Sequence, residues 1–146
     1  MYTRLGEGQE GITYKWQNMV IKTYKAGKRP NIVVNELLQQ LDPGRKRFIW
    51  YDILAGELNE NFKNVVFMPY MEHIPKHLTK AQYRYLRDSV ELLRKNNILH
   101  GDLPDNVMLD PVTELPVIID FDQARINNNK DLARIDSNAF LTHFKT

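Results

Sequence analysis

Two short segments carry oxygen-bearing side chains at spacings suited to metal and proton chemistry. His100-Gly101-Asp102-Leu103-Pro104-Asp105-Asn106 sets an aspartate and an asparagine on a tight polar loop that opens into Val107-Met108-Leu109. Asp120-Phe121-Asp122 follows the apolar run Val117-Ile118-Ile119, which puts a carboxylate at the end of a buried strand-like segment. Desolvating such a carboxylate is costly unless a cation pairs with it. Magnesium suits the position, being hard, oxygen-seeking and commonly shared with substrate phosphates. Asn106 and Asp120 would give that ion two protein oxygens. Asp102 would stay free to orient and deprotonate an attacking hydroxyl.

A phosphate-binding element stands near the start of the chain. Gly6-Glu7-Gly8-Gln9-Glu10-Gly11 has the spacing G-x-G-x-x-G. Alone this is a weak signal, because glycines in a hairpin turn more often serve backbone geometry. In a dinucleotide-binding fold the glycines lead into a helix. Here they join two strand-like runs, as in a flap that covers nucleotide phosphates. Lys22, in Val20-Ile21-Lys22, lies one strand further on, where its ammonium would reach the α- and β-phosphates; a solvated strand edge is the alternative. Glu36, beside the apolar positions of a helix, is the candidate carboxylate to hold that lysine, and an exposed helix glutamate is the alternative.

The elements that must position these residues follow from periodicity. Tyr2–Leu5, Ile12–Trp16 and Met19–Tyr24 read as strands, the last two separated by Gln17-Asn18. Pro30 fits the first turn of a helix whose Val34, Leu37, Leu38 and Leu41 recur at helical spacing, and Asp42-Pro43-Gly44 ends it. Phe48–Leu54 and Asn64–Met68 read as two more strands. Thr79 and Gln82 form a capping box for a helix with Tyr83, Leu86, Val90 and Leu93 on one face, up to Asn96-Asn97. Val107–Leu109 and Val117–Ile119 form a hairpin around Asp110-Pro111. A last helix spans about Asn129 to Phe144, with Leu132, Ile135 and Ala139 inward.

Composition narrows the class. The chain has 146 residues, 42% of them apolar, enough for one core or two small lobes sharing an interface. A net charge of +2 argues against nucleic acid as a partner. The run Arg45-Lys46-Arg47 reads as a solvated turn. With no cysteine, a disulfide framework is excluded, which fits a reducing compartment. No stretch approaches the roughly 18 apolar residues of a membrane span, and Met1-Tyr2-Thr3-Arg4 lacks a signal-peptide pattern, so a cytoplasmic location is expected.

In this order the motifs resemble the protein kinase superfamily, over nearly the whole chain. The resemblance implies an α+β, two-lobed fold. Residues 1–72 would form an N-lobe with a five-stranded sheet and one helix, and residues 73–146 a strongly truncated helical C-lobe. It implies ATP and Mg2+ as ligands. Gly6, Gly8, Gly11, Lys22 and Glu36 match the nucleotide clamp, Asp102 the catalytic-loop aspartate, Asn106 the magnesium-binding asparagine and Asp120 the metal-binding aspartate. In Val66–Met71 the Pro69 carbonyl and the Met71 N–H match the hinge that contacts adenine. His100 matches a packing histidine.

Several departures accompany the resemblance. Gly101 stands where an arginine usually reads activation-loop phosphorylation, Asp122 replaces a glycine, and the interval from Asp102 to Asn106 is one residue short. Little chain follows Asp122. The size is similar to the minimal kinases of secreted bacterial effectors and to small viral kinase-like proteins, which implies host cytoplasm and an activating or substrate protein as partner. The expected activity is phosphoryl transfer to Ser/Thr or to the chain itself. A pseudokinase-like module that grips a protein is the alternative, with a small-molecule kinase behind it.

Overall fold

The structure, a computed structural model, describes residues 2–53, 65–102 and 105–146. The first half builds a five-stranded antiparallel sheet from β1 (Thr3–Glu7), β2 (Gly11–Trp16), β3 (Met19–Tyr24), β4 (Asp52–Ile53) and β5 (Val65–Pro69), in the order β1-β2-β3-β5-β4. Gln17, at φ 54, turns β2 into β3 and sets Trp16 opposite Met19. Side chains alternate along β3, so Val20 and Lys22 share one face and are both buried.

The strand expected over Phe48–Leu54 contributes only β4 to this sheet. Asp42 is the reason. Its carboxylate accepts the N–H groups of Lys46, Arg47 and Phe48 at 3.1, 2.6 and 2.8 Å, and its carbonyl accepts Trp50 Nε1 at 2.7 Å. The chain therefore wraps a side chain where a ladder was expected. Phe48 makes an isolated parallel bridge to Ile118, while Leu54 and Asn64 lie outside the described residues. The neighbouring basic run is solvated only in part: Lys46 is exposed, while its two arginines are half-buried. Arg45 stacks on Trp50 and pairs with Asp52 at 2.7 Å, and Arg47 donates to Ser89 Oγ at 2.9 Å and stacks on Tyr85.

Three helices follow their sequence signals closely. α1 (Ile32–Leu41) is capped by Asn31, so Pro30 precedes the helix and does not open it. α2 (Lys80–Lys95) carries the capping box between Thr79 and Gln82. α3 (Lys130–His143) is capped by Asn129. Two short antiparallel pairs sit between the last two helices: β6 (Ile98–Leu99) with β9 (Arg125–Ile126), and between them in sequence the hairpin of β7 (Val107–Leu109) with β8 (Pro116–Ile118).

The face of α3 differs from the expected one. Ile135 is 61% exposed, and Ala133 and Phe140 are the buried positions. Asp136 lies on the Ala133–Phe140 stripe and bonds inward, so a search for apolar residues alone selects the wrong face.

One core joins α1 to the helical half. Val34 and Leu38 pack with Leu86, Val90 and Leu93 of α2, with Ile118 and with Phe140. Phe121 meets Phe48 edge-on at 5.9 Å and His100 at 4.8 Å. Each such fully buried side chain contributes ~1.5–3 kcal/mol. A smaller cluster of Ile49, Met71 and Val117, flanked by Met68, Met108 and Ile119, sits at the other end of β5. Among the described residues no helix is long and apolar enough to cross a membrane.

Candidate functional site

A cleft of about 500 Å³ opens between the glycine turn and the Asp120–Asp122 segment. Gly6, Gly8, Gly11, Lys22, Asp102 and Asp120 all line it. The three glycines have different reasons to be there. A Cβ on Gly11 would lie 2.1 Å from Thr23 O, because β2 passes tight against β3. Gly6 and Gly8 have no atom within 4 Å of a built Cβ, and neither has positive φ. Neither protein packing nor backbone strain demands glycine at those two positions. Their bare backbone leaves room for a ligand to approach.

Lys22 reaches the cleft from β3 with its side chain 8% exposed. Its carboxylate partner is Asp122, whose side chain is 1% exposed and whose Oδ2 accepts from Nζ. Asp120 Oδ1 stands 3.8 Å from the same nitrogen. Tyr24 donates its hydroxyl to the other Asp122 oxygen at 2.7 Å. Burial pushes the Asp122 carboxyl up to about 6, against the opposing pull of Lys22. Burial and the neighbouring Asp122 charge raise Tyr24, and burial raises Tyr51 beside it.

Glu36 is not the partner of Lys22. It is exposed on α1, and the inward position is Asn35, which exchanges two hydrogen bonds with the Tyr51 backbone at 3.0 and 2.7 Å. Residues on a helix step by ~100°, and with Val34, Asn35 and Leu38 on the buried side Glu36 falls on the exposed one.

Asp102 sits on a loop held by two side chains. His100 is fully buried; its Nε2 faces Ile119 O at 2.8 Å and its Nδ1 faces Asp102 N–H at 3.2 Å. Those partners assign the neutral tautomer with the proton on Nε2. Burial holds its pKa below the usual imidazole range. Asp136 accepts the N–H of His100 at 2.9 Å and of Gly101 at 3.2 Å, which clamps α3 to the loop. The sequence reading missed Asp136; its signal was an acid on the same helical stripe as Ala133 and Phe140. Gly101 has φ +84, and a Cβ there would lie 2.8 Å from Gln123 O, so local geometry accounts for the missing arginine.

Asn106 does not line the cleft. Its Nδ2 donates to Asp102 O at 2.6 Å and its carbonyl accepts from Ile119 N–H at 2.9 Å. The intervening Leu103 and Pro104 lie outside the described residues.

Thr13 lines both this cleft and a second, apolar cavity of about 150 Å³, so the two adjoin. Leu5, Val20, Met108 and Ile119 form its walls, and Pro69 and Met71 its edge. Tyr70 N–H donates to Asn18 O at 2.8 Å, which makes Met19–Pro69 a non-hydrogen-bonded pair. The proline therefore costs the ladder no donor, and its carbonyl turns away from β3. Met71 N–H has no acceptor among the described residues.

The donor set suits magnesium only in company. Among the described residues no group of three or more His, Cys, Asp or Glu side chains could hold a metal ion. Magnesium needs only one or two carboxylates when phosphates complete its shell. Asp120, one-third exposed in the cleft, fits that requirement, whereas Asn106 lies off the cleft with its amide nitrogen on Asp102 O. No protein-family model matches the chain, and comparison with curated proteins gives no significant match.

Proposed function

We propose that this chain is a small, two-lobed, kinase-like protein that binds ATP with Mg2+ and transfers the γ-phosphoryl group to a hydroxyl. One observation carries the reading: an apolar slot edged by free hinge backbone adjoins a polar cleft holding bare glycines, a buried lysine, the three aspartates Asp102, Asp120 and Asp122, and the glutamates Glu7 and Glu10 of the glycine turn. Such a pair fits a ligand with a flat apolar end and a polyanionic end. The Pro69 carbonyl and Met71 N–H would take the adenine edge, and Lys22 with the glycine-turn amides the phosphates. Mg2+, held by Asp120, would neutralise charge on the phosphate oxygens.

Glu7 pairs with Arg4 and Lys25 and Glu10 accepts from Gln123, which leaves Asp102 as the cleft carboxylate with no hydrogen bond to its side-chain oxygens among the described residues. It would orient the acceptor hydroxyl. As the acceptor oxygen bonds to the γ-phosphorus, the bond to the β-bridging oxygen breaks, ADP leaves and Asp102 takes the proton. The acceptor proposed is a Ser/Thr hydroxyl of a protein partner or of the chain itself, in a cytoplasm.

A second reading, a nucleotide-gripping module without turnover, draws on Asn106, whose amide nitrogen is tied to the loop and which does not line the cleft. Incubation with γ-labelled ATP and Mg2+ separates the two. Labelled protein from the wild type, and none from Asp102→Asn or Lys22→Ala, is the expected result. Equal label in all three rules out transfer at this site.

A further inference from the structure

We propose that Asp122, and no carboxylate of α1, is the residue that positions Lys22 for a bound triphosphate. The lysine's setting then depends on the Asp120–Asp122 segment and not on where α1 lies. The inference rests on the nucleotide reading for the identity of the ligand and on the structure for everything else.

The geometry is over-determined at each end. Asp122 offers Lys22 one oxygen while Tyr24 O–H fixes the other at 2.7 Å, so the carboxylate cannot turn away without losing a second bond. The Tyr24 ring lies 5.0 Å from Nζ, and Asp120 flanks it at 3.8 Å. An ammonium carries three donors. With Asp122 taking one, the others face a cleft lined by the glycine turn.

The segment carrying Asp122 is itself anchored. Phe121 is 4% exposed against Phe48 and His100. Asn31 Nδ2 donates to Ala124 O at 2.6 Å and to Phe121 O at 3.4 Å.

The helix cannot compete for the role as it stands. Bringing Glu36 inward requires rotating α1 by ~100°. That rotation would break both Asn35 bonds to Tyr51 and expose Val34 and Leu38, now 2% and 0% exposed. An activating partner that moves α1 is therefore unnecessary for placing Lys22.

A double-mutant cycle on the affinity for ATP·Mg2+ tests this, using Lys22→Met in three backgrounds: wild type, Asp122→Asn and Glu36→Gln. A charge-assisted bond to phosphate makes the expected loss for Lys22→Met about tenfold in the wild type and in Glu36→Gln. In Asp122→Asn the same change should cost under about twofold, because the lysine is no longer aimed. If Asp122 only shields Lys22, its removal frees the ammonium and the cost of Lys22→Met grows instead. That result overturns the inference, as does a loss that vanishes in Glu36→Gln.

The Nζ signal of Lys22 in ¹⁵N-labelled protein gives an independent readout without ligand. Slow proton exchange should persist in Glu36→Gln and disappear in Asp122→Asn, and the reverse pattern refutes the assignment even if a cycle variant folds poorly. A wild type that binds no ATP·Mg2+ defeats the nucleotide reading itself, whereas binding with the wrong cycle defeats this inference alone.

Discussion

Replacing Gly11 and Gly8 by alanine should have opposite consequences, because the two glycines exist for different reasons. At Gly11 the new methyl would stand 2.1 Å from Thr23 O and 2.9 Å from Thr23 C. Comfortable contact begins at roughly 3.5 Å, so β2 and β3 must part by more than about 1 Å. The obstacle is backbone, within a ladder that runs unbroken from Gly11–Tyr24 to Trp16–Met19. Overpacking of that kind costs ~1–3 kcal/mol, and a lost ladder bond about 1 more. A destabilisation of ~3 kcal/mol lowers Tm by about 6–12 °C for a chain of this size.

At Gly8 the methyl meets nothing, and φ is ordinary. Stability should hold or rise by up to ~1 kcal/mol, since the unfolded chain loses freedom. The same methyl would project where phosphates are proposed to lie, and ATP affinity should drop about fivefold or more, ~1 kcal/mol. Thermal denaturation by circular dichroism, followed by calorimetric titration with ATP·Mg2+, reads both effects. A Gly8→Ala protein that melts as early as Gly11→Ala, or a Gly11→Ala protein that melts with the wild type, refutes the reasoning.

Two further outcomes follow from the loop clamp. Asp136→Ala strands the N–H of His100 and of Gly101; the first is buried, so about 2 kcal/mol should be lost in urea denaturation, and a change under ~0.5 kcal/mol contradicts the clamp. His100, held neutral below its unfolded pKa, contributes stability that is present above about pH 6.5 and is lost as pH falls below it. Tm measured from pH 7 to pH 5 should therefore fall more steeply in the wild type than in His100→Leu. The difference between the curves isolates the imidazole from Asp122, whose raised pKa acts in the opposite sense. Parallel curves would show that His100 protonates freely in the fold.

Much of the frame was legible because it rests on local chemistry. The capping box at Thr79, the turn at Gln17-Asn18 and the alternation along β3 are each decided by neighbours in sequence. The clustering of the glycine turn, Lys22, Asp102 and Asp120 followed from motif order and strand ends.

What escaped was contact between distant polar groups. Hydropathy cannot tell that Asn35 faces inward in place of Glu36, because the cause is the backbone of Tyr51. Nor could it turn Asp136 toward the core, where two loop N–H groups wait for a charge. Phe48–Leu54 read as a strand because its side chains are apolar, while the Asp42 carboxylate six residues upstream decided the path of the backbone. In each case a buried polar residue overrode an apolar pattern.

The most direct test of the account is calorimetric titration of ATP into the wild type and Asp120→Asn, with Mg2+ and with a chelator. One ATP per chain is expected, with Mg2+-dependent affinity in the wild type and loss of that dependence in Asp120→Asn. No binding heat under any condition, or identical isotherms for the two proteins with Mg2+, would contradict it.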